Sequence, residues 1–149
     1  MSSTVSIGSL GEDLVVKFLM KRGYTILDRN FRKPWGELDI VAQKKKTIHF
    51  VEVKSSSQEL QRSDVSSETK QSERIKALMY VKQHLPKDRF TPEDRVGQQK
   101  SLRLSRIIGT YLKAKHVSDE TNWQFDLATV LIDGEKKIAK VNFIDGFIF

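Results

Sequence analysis

Asp39, Glu52 and Lys54 stand at spacings that can do hydrolytic chemistry. Glu37–Gln43 (ELDIVAQ) and Thr47–Lys54 (TIHFVEVK) both read as strands, and side chains two apart in a strand share a face. Glu37, Asp39 and Val41 then fall on one face of the first strand. Glu52 and Lys54 share a face of the second, with Val51 and Val53 on the other. Only Lys44-Lys45-Lys46 separates the strands, which argues for an antiparallel hairpin. Such a hairpin brings Asp39 alongside Glu52, with Lys54 one pleat away. Phosphodiester hydrolysis needs an activated water and charge stabilisation on the phosphate, and a divalent cation can supply both. Magnesium, or manganese, takes oxygen ligands and keeps several waters, so two carboxylates plus a main-chain carbonyl such as that of Val53 are enough. A lysine beside the ion can orient the water or neutralise developing charge. The competing reading is an exposed hairpin with a Glu–Lys pair of little energetic worth.

The remaining elements must position these groups. Ser9–Arg22 reads as a helix, with Leu10, Leu14, Val15, Phe18 and Leu19 at helical spacing. Ser9 with Glu12 matches a capping box, and Gly23 is a natural stop. Tyr24–Asp28 reads as a strand and Arg29–Gly36 as a basic, aromatic loop. Ser55–Glu68 reads as a loop, Lys70–Leu85 as a helix closed by Pro86, Lys87–Gly97 as a polar connector and Lys100–Lys115 as a helix. Trp123–Ile132 and Ile138–Phe143 read as two last strands about a turn at Asp133-Gly134. The expected architecture is α/β: a single domain over 1–149, with a mixed five-stranded sheet flanked by helices.

Several short stretches occur in a telling order: Gly11-Glu12, Gly23-Tyr24-Thr25-Ile26-Leu27, Arg29-Asn30, Gly36-Glu37-Leu38-Asp39-Ile40-Val41-Ala42 and Phe50-Val51-Glu52-Val53-Lys54. Lys100-Ser101-Leu102-Arg103-Leu104, Tyr111-Leu112 and Phe125-Asp126-Leu127 follow. Together they resemble the YraN family of predicted endonucleases, itself similar to archaeal Holliday-junction resolvases of the PD-(D/E)XK superfamily. The resemblance implies a restriction-endonuclease-like core, Asp39 and Glu52 as metal ligands and Lys54 as the catalytic lysine. It matches Glu12 to a helical glutamate that reaches toward the metal, beside its reading as a helix cap. It also implies DNA, branched or otherwise structured, as substrate. Junction-cutting relatives are commonly dimers, so a homodimer is compatible with it. The stretch 57–94 is longer than the family pattern and reads as an insertion with an extra helix. Ser56 and Gln124 stand where family members often carry basic residues.

Glu37 shares the Asp39 face and can support the site from behind, or be a solvated strand residue. Arg29, Arg32 and Lys33 precede the site strand and can hold phosphates, with Phe31 or Trp35 either stacking on a base or anchoring the core. Lys100 and Arg103 fit a phosphate-facing side of their helix, or a merely solvated one.

Composition agrees with a polyanionic partner. There are 26 Lys and Arg against 19 Asp and Glu, a formal +7, which favours nucleic acid. The absence of cysteine excludes disulfides and Cys-based metal sites. His49, His84 and His116 show no ligand spacing, so no histidine metal site is expected. No signal-peptide pattern and no membrane-length apolar run occur, and a cytoplasmic location is expected. Two other classes stay open: a non-catalytic nucleic-acid-binding module of the same fold, and an interaction protein docking through 57–94.

Overall fold

The first helix, α1 (Ile7–Lys21), begins two residues before the expected start. Its cap is Ser6, in extended backbone, whose Oγ accepts the Ser9 N–H at 3.1 Å. Ser9 therefore lies inside the first turn and the Ser9–Glu12 capping box does not form, which leaves the Glu12 carboxylate available elsewhere. At the other end Gly23 takes φ +82. The Gly23 N–H meets the Met20 carbonyl and the Tyr24 N–H meets that of Leu19, so the last carbonyls are satisfied as the sequence suggests.

The computed structural model describes residues 6–60 and 92–146, with side chains in the second helix described from Leu102 onward. The expected helix over Lys70–Leu85 lies outside the described residues. The other elements are β1 (Thr25–Lys33), β2 (Gly36–Lys44), β3 (Thr47–Ser57), α2 (Pro92–Ala114), β4 (Asn122–Asp133) and β5 (Ile138–Ile144). They form one sheet in the order β1-β2-β3-β4-β5. All neighbours are antiparallel except β3 and β4, which run parallel. Parallel strands need a crossover, and α2 lies in the segment that supplies it.

Three expectations are corrected. The basic stretch Arg29–Lys33 is not a loop: it continues β1 against β2, and only Pro34-Trp35 turn, since Lys33 pairs with Gly36. Ser55–Ser57 extend β3 because β4 runs beside them, pairing Ser57 with Ile132. The connector over Lys87–Gly97 is helical from Pro92 on; a proline at the first helical position has no N–H to leave unpaired.

The sheet is covered on both faces. Val15 and Leu19 of α1 pack on Ile40, Ala42, Val51, Ala128 and Val130. Ile107, Ile108 and Tyr111 of α2 pack on Leu38, Val41, Ile48, Phe50 and Phe125. Each fully buried large side chain contributes about 1.5–3 kcal/mol, so the two helices are held independently by their own cores. This is an α/β fold with a mixed five-stranded sheet between helices, consistent with a restriction-endonuclease-like core. Among the described residues no helix is long and apolar enough to cross a membrane.

Candidate functional site

The β2–β3 ladder stops at Ile40↔Val51, and beyond it the strands fork. Asp39 stands at the fork. Its Oδ2 accepts the Val53 N–H at 2.8 Å, taking the place of a main-chain partner. The neighbouring strand is irregular at the same level: Asn30 of β1 takes φ 51, between the pairs Arg29↔Ile40 and Phe31↔Leu38. Asn tolerates this left-handed conformation better than most residues.

Strict alternation fails here. Leu38 and Val41, three apart, both pack in the α2-side core. The consecutive residues Glu37, Leu38 and Asp39 all line one cleft. Glu37, Asp39 and Val41 therefore do not lie on one flat face, because β2 is paired with β3 only from Ile40 onward and departs from it over Gly36–Asp39.

The cleft encloses about 350 Å³ between the two helices. Glu12 reaches it from α1, Asp39 from β2, Glu52 and Lys54 from β3 and Arg103 from α2. Lys54 Nζ pairs with Glu52 Oε1 at 2.8 Å, so these two do share a face. Burial pulls the Lys54 ammonium down, but the Glu52 hydrogen bond and the charges of Glu52 and Asp39 outweigh it and hold its pKa above the usual value. Burial pushes the Asp39 carboxyl up from the usual 3.8 to about 6; the Val53 N–H opposes this, and the charges of Glu12, Glu52 and Glu37 add to it.

Glu12 owes its place to its neighbour. Gly11 is buried where α1 crosses the end of β3, and a Cβ there would stand 1.7 Å from Ser55 Oγ. Only a glycine lets the helix approach this closely, which carries Glu12 over the cleft. Ser55 Oγ is buried there without a hydrogen-bond partner.

The remaining sequence candidates separate. Arg29 turns away from the cleft toward α1, pairing with Asp13 at 2.6 Å and approaching Glu12 at 3.9 Å. It positions the helix that carries Glu12. Glu37 lines the cleft but holds Arg32 at 2.8 Å. Arg32, Lys33 and Arg103 line a second groove beside the cleft. Lys100 lies in α2, with its side chain outside the described residues. Phe31 and Trp35 both pack against the α2-side core, as anchors.

Sequence reasoning missed Arg106, which lines the second groove with Arg103. Their spacing of three on a helix was the available signal. It also missed two ties between elements, one from α2 to β1 and one from β3 to β4. Tyr111 donates its hydroxyl to Asp28 Oδ2 at 2.6 Å. His49 Nδ1 meets Asp126 Oδ2 at 2.6 Å, and Asp126 Oδ1 accepts from Gln124 Nε2 and the Gly146 N–H, each at 2.8 Å.

Asp145 joins that second tie through Gln124. The donor atoms of His49, Asp126 and Asp145 lie within 4.8 Å of one another, the one such group among the described residues. A histidine thus does meet two carboxylates, but both Asp126 oxygens are already hydrogen-bonded and tie β3, β4 and the chain after β5 together. No three acids of the cleft bring their oxygens that close together, but they share one opening.

A family model described as the uncharacterised protein family UPF0102 matches residues 11–91. A UPF0102 protein of Caldicellulosiruptor bescii is 34% identical over 139 residues, 93% of this chain and 92% of the relative. One from Alkaliphilus metalliredigens is 32% identical over 92% of this chain and 95% of its own. One from Dictyoglomus thermophilum reaches 55% identity over 49 residues, a third (33%) of this chain. With a match over more than half its length and relatives aligned almost end to end, the chain belongs to the UPF0102 (YraN) family.

Proposed function

We propose that this chain is a metal-dependent endonuclease that hydrolyses phosphodiester bonds in DNA, with branched or otherwise structured DNA as its substrate class. One observation carries the reading. The Asp39 carboxylate is built into the β2–β3 fork, in an open cleft that Glu12, Glu37 and Glu52 share with it. Burial there raises the Asp39 pKa to about 6, and the charges of Glu12, Glu52 and Glu37 add to the shift. An all-oxygen donor set with excess negative charge suits magnesium or manganese. Asp39, Glu52 and the Val53 carbonyl would hold the ion, with Glu12 on the facing wall. When bound, such an ion supplies charge stabilisation at the phosphate and a more acidic water.

The chain's own groups do the rest. Lys54, kept protonated and anchored by Glu52, can donate a hydrogen bond to the attacking water or to the phosphoryl oxygen that gains charge. Glu12 can accept a hydrogen bond from that water. Arg103, on the α2 wall, can hold the phosphate by a charge-assisted contact. The branched-DNA preference rests on the family resemblance.

The test is cleavage of four-way-junction, flap, duplex and single-stranded DNA with magnesium and then manganese. Asp39→Asn and Glu52→Gln should each lower metal-dependent cleavage at least ~100-fold, the loss expected from removing a few kcal/mol of transition-state stabilisation. Cleavage that survives both substitutions rules this site out. A second reading, a binding module without cleavage, draws on the closed Glu52–Lys54 pair, in which the lysine is already engaged. It predicts no products with any divalent ion. It also predicts binding whose log affinity falls by about 0.9 per phosphate contact per log unit of salt on duplex DNA.

A further inference from the structure

The hydrolytic chemistry leaves unused the groove beyond Gly36, about 620 Å³ in volume. Four cations line it: Arg32 and Lys33 from the end of β1, and Arg103 and Arg106 from α2. Glu37, the one carboxylate among its described lining residues, pairs with Arg32. Among the described residues Lys33, Arg103 and Arg106 form no ion pair with a carboxylate. Cations gathered in excess of counter-charge raise the local potential and favour an anionic occupant.

Arg106 is held in place. Its guanidinium lies 4.7 Å from the centre of the Trp35 ring. The Trp35 Nε1–H donates to Thr110 Oγ1 at 3.2 Å, and the Thr110 hydroxyl donates to the Arg106 carbonyl at 2.8 Å. The indole is pinned to the helix one turn beyond Arg106, and the arginine stacks on it with its donors still exposed. A stacked guanidinium loses less freedom when it takes a phosphate than a free side chain does.

Gly36, Glu37 and Arg103 line both the acidic cleft and this groove. A Cβ at Gly36 would stand 3.1 Å from Ile107 Cβ, so the bare glycine keeps the hairpin against α2 and the two cavities joined. A strand with one phosphate in the cleft therefore continues into the groove. Cations spread over two elements along an open path fit a run of phosphates better than a single one.

We propose that this groove is a backbone subsite for the nucleotides adjoining the scissile bond, with Arg106 on Trp35 as its fixed phosphate-binding group. Its link to a scissile bond rests on the nuclease reading above; its affinity for a nucleic-acid backbone does not.

The experiment compares full-length wild type with the double variant Arg106→Gln/Lys33→Gln and a control, Lys45→Gln/Lys46→Gln, at the exposed turn on the other end of β2. Labelled single-stranded, duplex and junction DNA and duplex RNA are titrated in EDTA over a range of KCl, so that nothing is cleaved. Hydrolysis of bis(p-nitrophenyl) phosphate with manganese, which occupies the cleft alone, is followed in parallel. The groove variant should bind the preferred nucleic acid at least tenfold more weakly, with the salt slope lower by about 1.4–1.8 for two lost contacts. The control should change less than twofold, and small-ester hydrolysis should be unaltered. The ranking of DNA against RNA names the source of the backbone. Equal weakening in both double variants, no weakening in the groove variant, or no binding by wild type would overturn the subsite. A wild type that binds strands but leaves the small ester intact would count against the nuclease reading while the subsite stands.

Discussion

Asp39→Asn should make the metal-free protein more stable at alkaline pH while destroying the proposed activity. Asparagine keeps an oxygen to accept the Val53 N–H at the fork. It removes a negative charge that burial disfavours and that Glu12, Glu52 and Glu37 repel. The Asp39 carboxyl rises from 3.8 in the unfolded chain to about 6 in the fold. At 1.36 kcal/mol per unit, that shift is a penalty of about 3 kcal/mol on the ionised form. Asp39 is only partly buried, and solvent screening reduces this to roughly 1–2 kcal/mol.

The sign follows from linkage: a carboxyl whose folded pKa is raised favours the fold fully below pH 3.8 and loses that support as pH climbs through about 6. In EDTA at pH 8 the variant should melt roughly 2–8 °C above wild type, and the gap should close toward pH 4. Magnesium should then raise the melting point of wild type more than that of the variant, because binding to the folded state stabilises it. Thermal melts at pH 4, 6 and 8, with and without magnesium, are the assay. A variant less stable than wild type at pH 8, or a gap independent of pH, would refute the claim that burial and the neighbouring carboxylates penalise the ionised Asp39.

Gly11→Ala should destabilise by about 1–3 kcal/mol and depress cleavage, since its Cβ meets Ser55 Oγ at 1.7 Å. Gly8→Ala on the same helix, where the nearest atom is 3.9 Å away, should instead stabilise by about 0.4–1 kcal/mol; urea melts of the pair check both. Tyr111→Phe keeps the buried ring but leaves Asp28 without its 2.6 Å hydroxyl donor, and should cost about 1–2 kcal/mol by the same measurement. The Asp133 carboxyl is held below its usual range by the N–H groups of Leu60 and Lys136, with help from the Lys136 charge and the Glu135 N–H. Its contribution is present above the ordinary carboxylate range and is lost as pH falls through its lowered value. Asp133→Asn should therefore flatten the acid limb of the stability profile, read from melts below pH 5.

The strands β2 and β3 and their hairpin were legible because period-two alternation and a short turn are local signals. Asp39, Glu52 and Lys54 followed from them, since a short hairpin leaves little freedom of register. What misled was local as well. Arg29–Lys33 carry loop-like charge, yet β2 recruits them as a strand. Ser9 and Glu12 have capping-box spacing, yet Ser6 caps the helix one turn earlier.

The sequence by itself determined the fold class, the order of the described elements and the family, because hydrophobic period and motif order are written along the chain. It also determined which acids and which lysine stand on the central hairpin. Tertiary structure alone decided that Asp39 turns its carboxylate into the fork, that Gly11 lets Glu12 arrive over the cleft, and that Arg29 serves α1. It alone brought Arg106 onto Trp35 and set His49 against Asp126. These partners are far apart in sequence: His49 and Asp126 by 77 residues, Trp35 and Thr110 by 75. Periodicity says which way a side chain faces, but which side chain it meets depends on how the helices dock and where a glycine lets them come close.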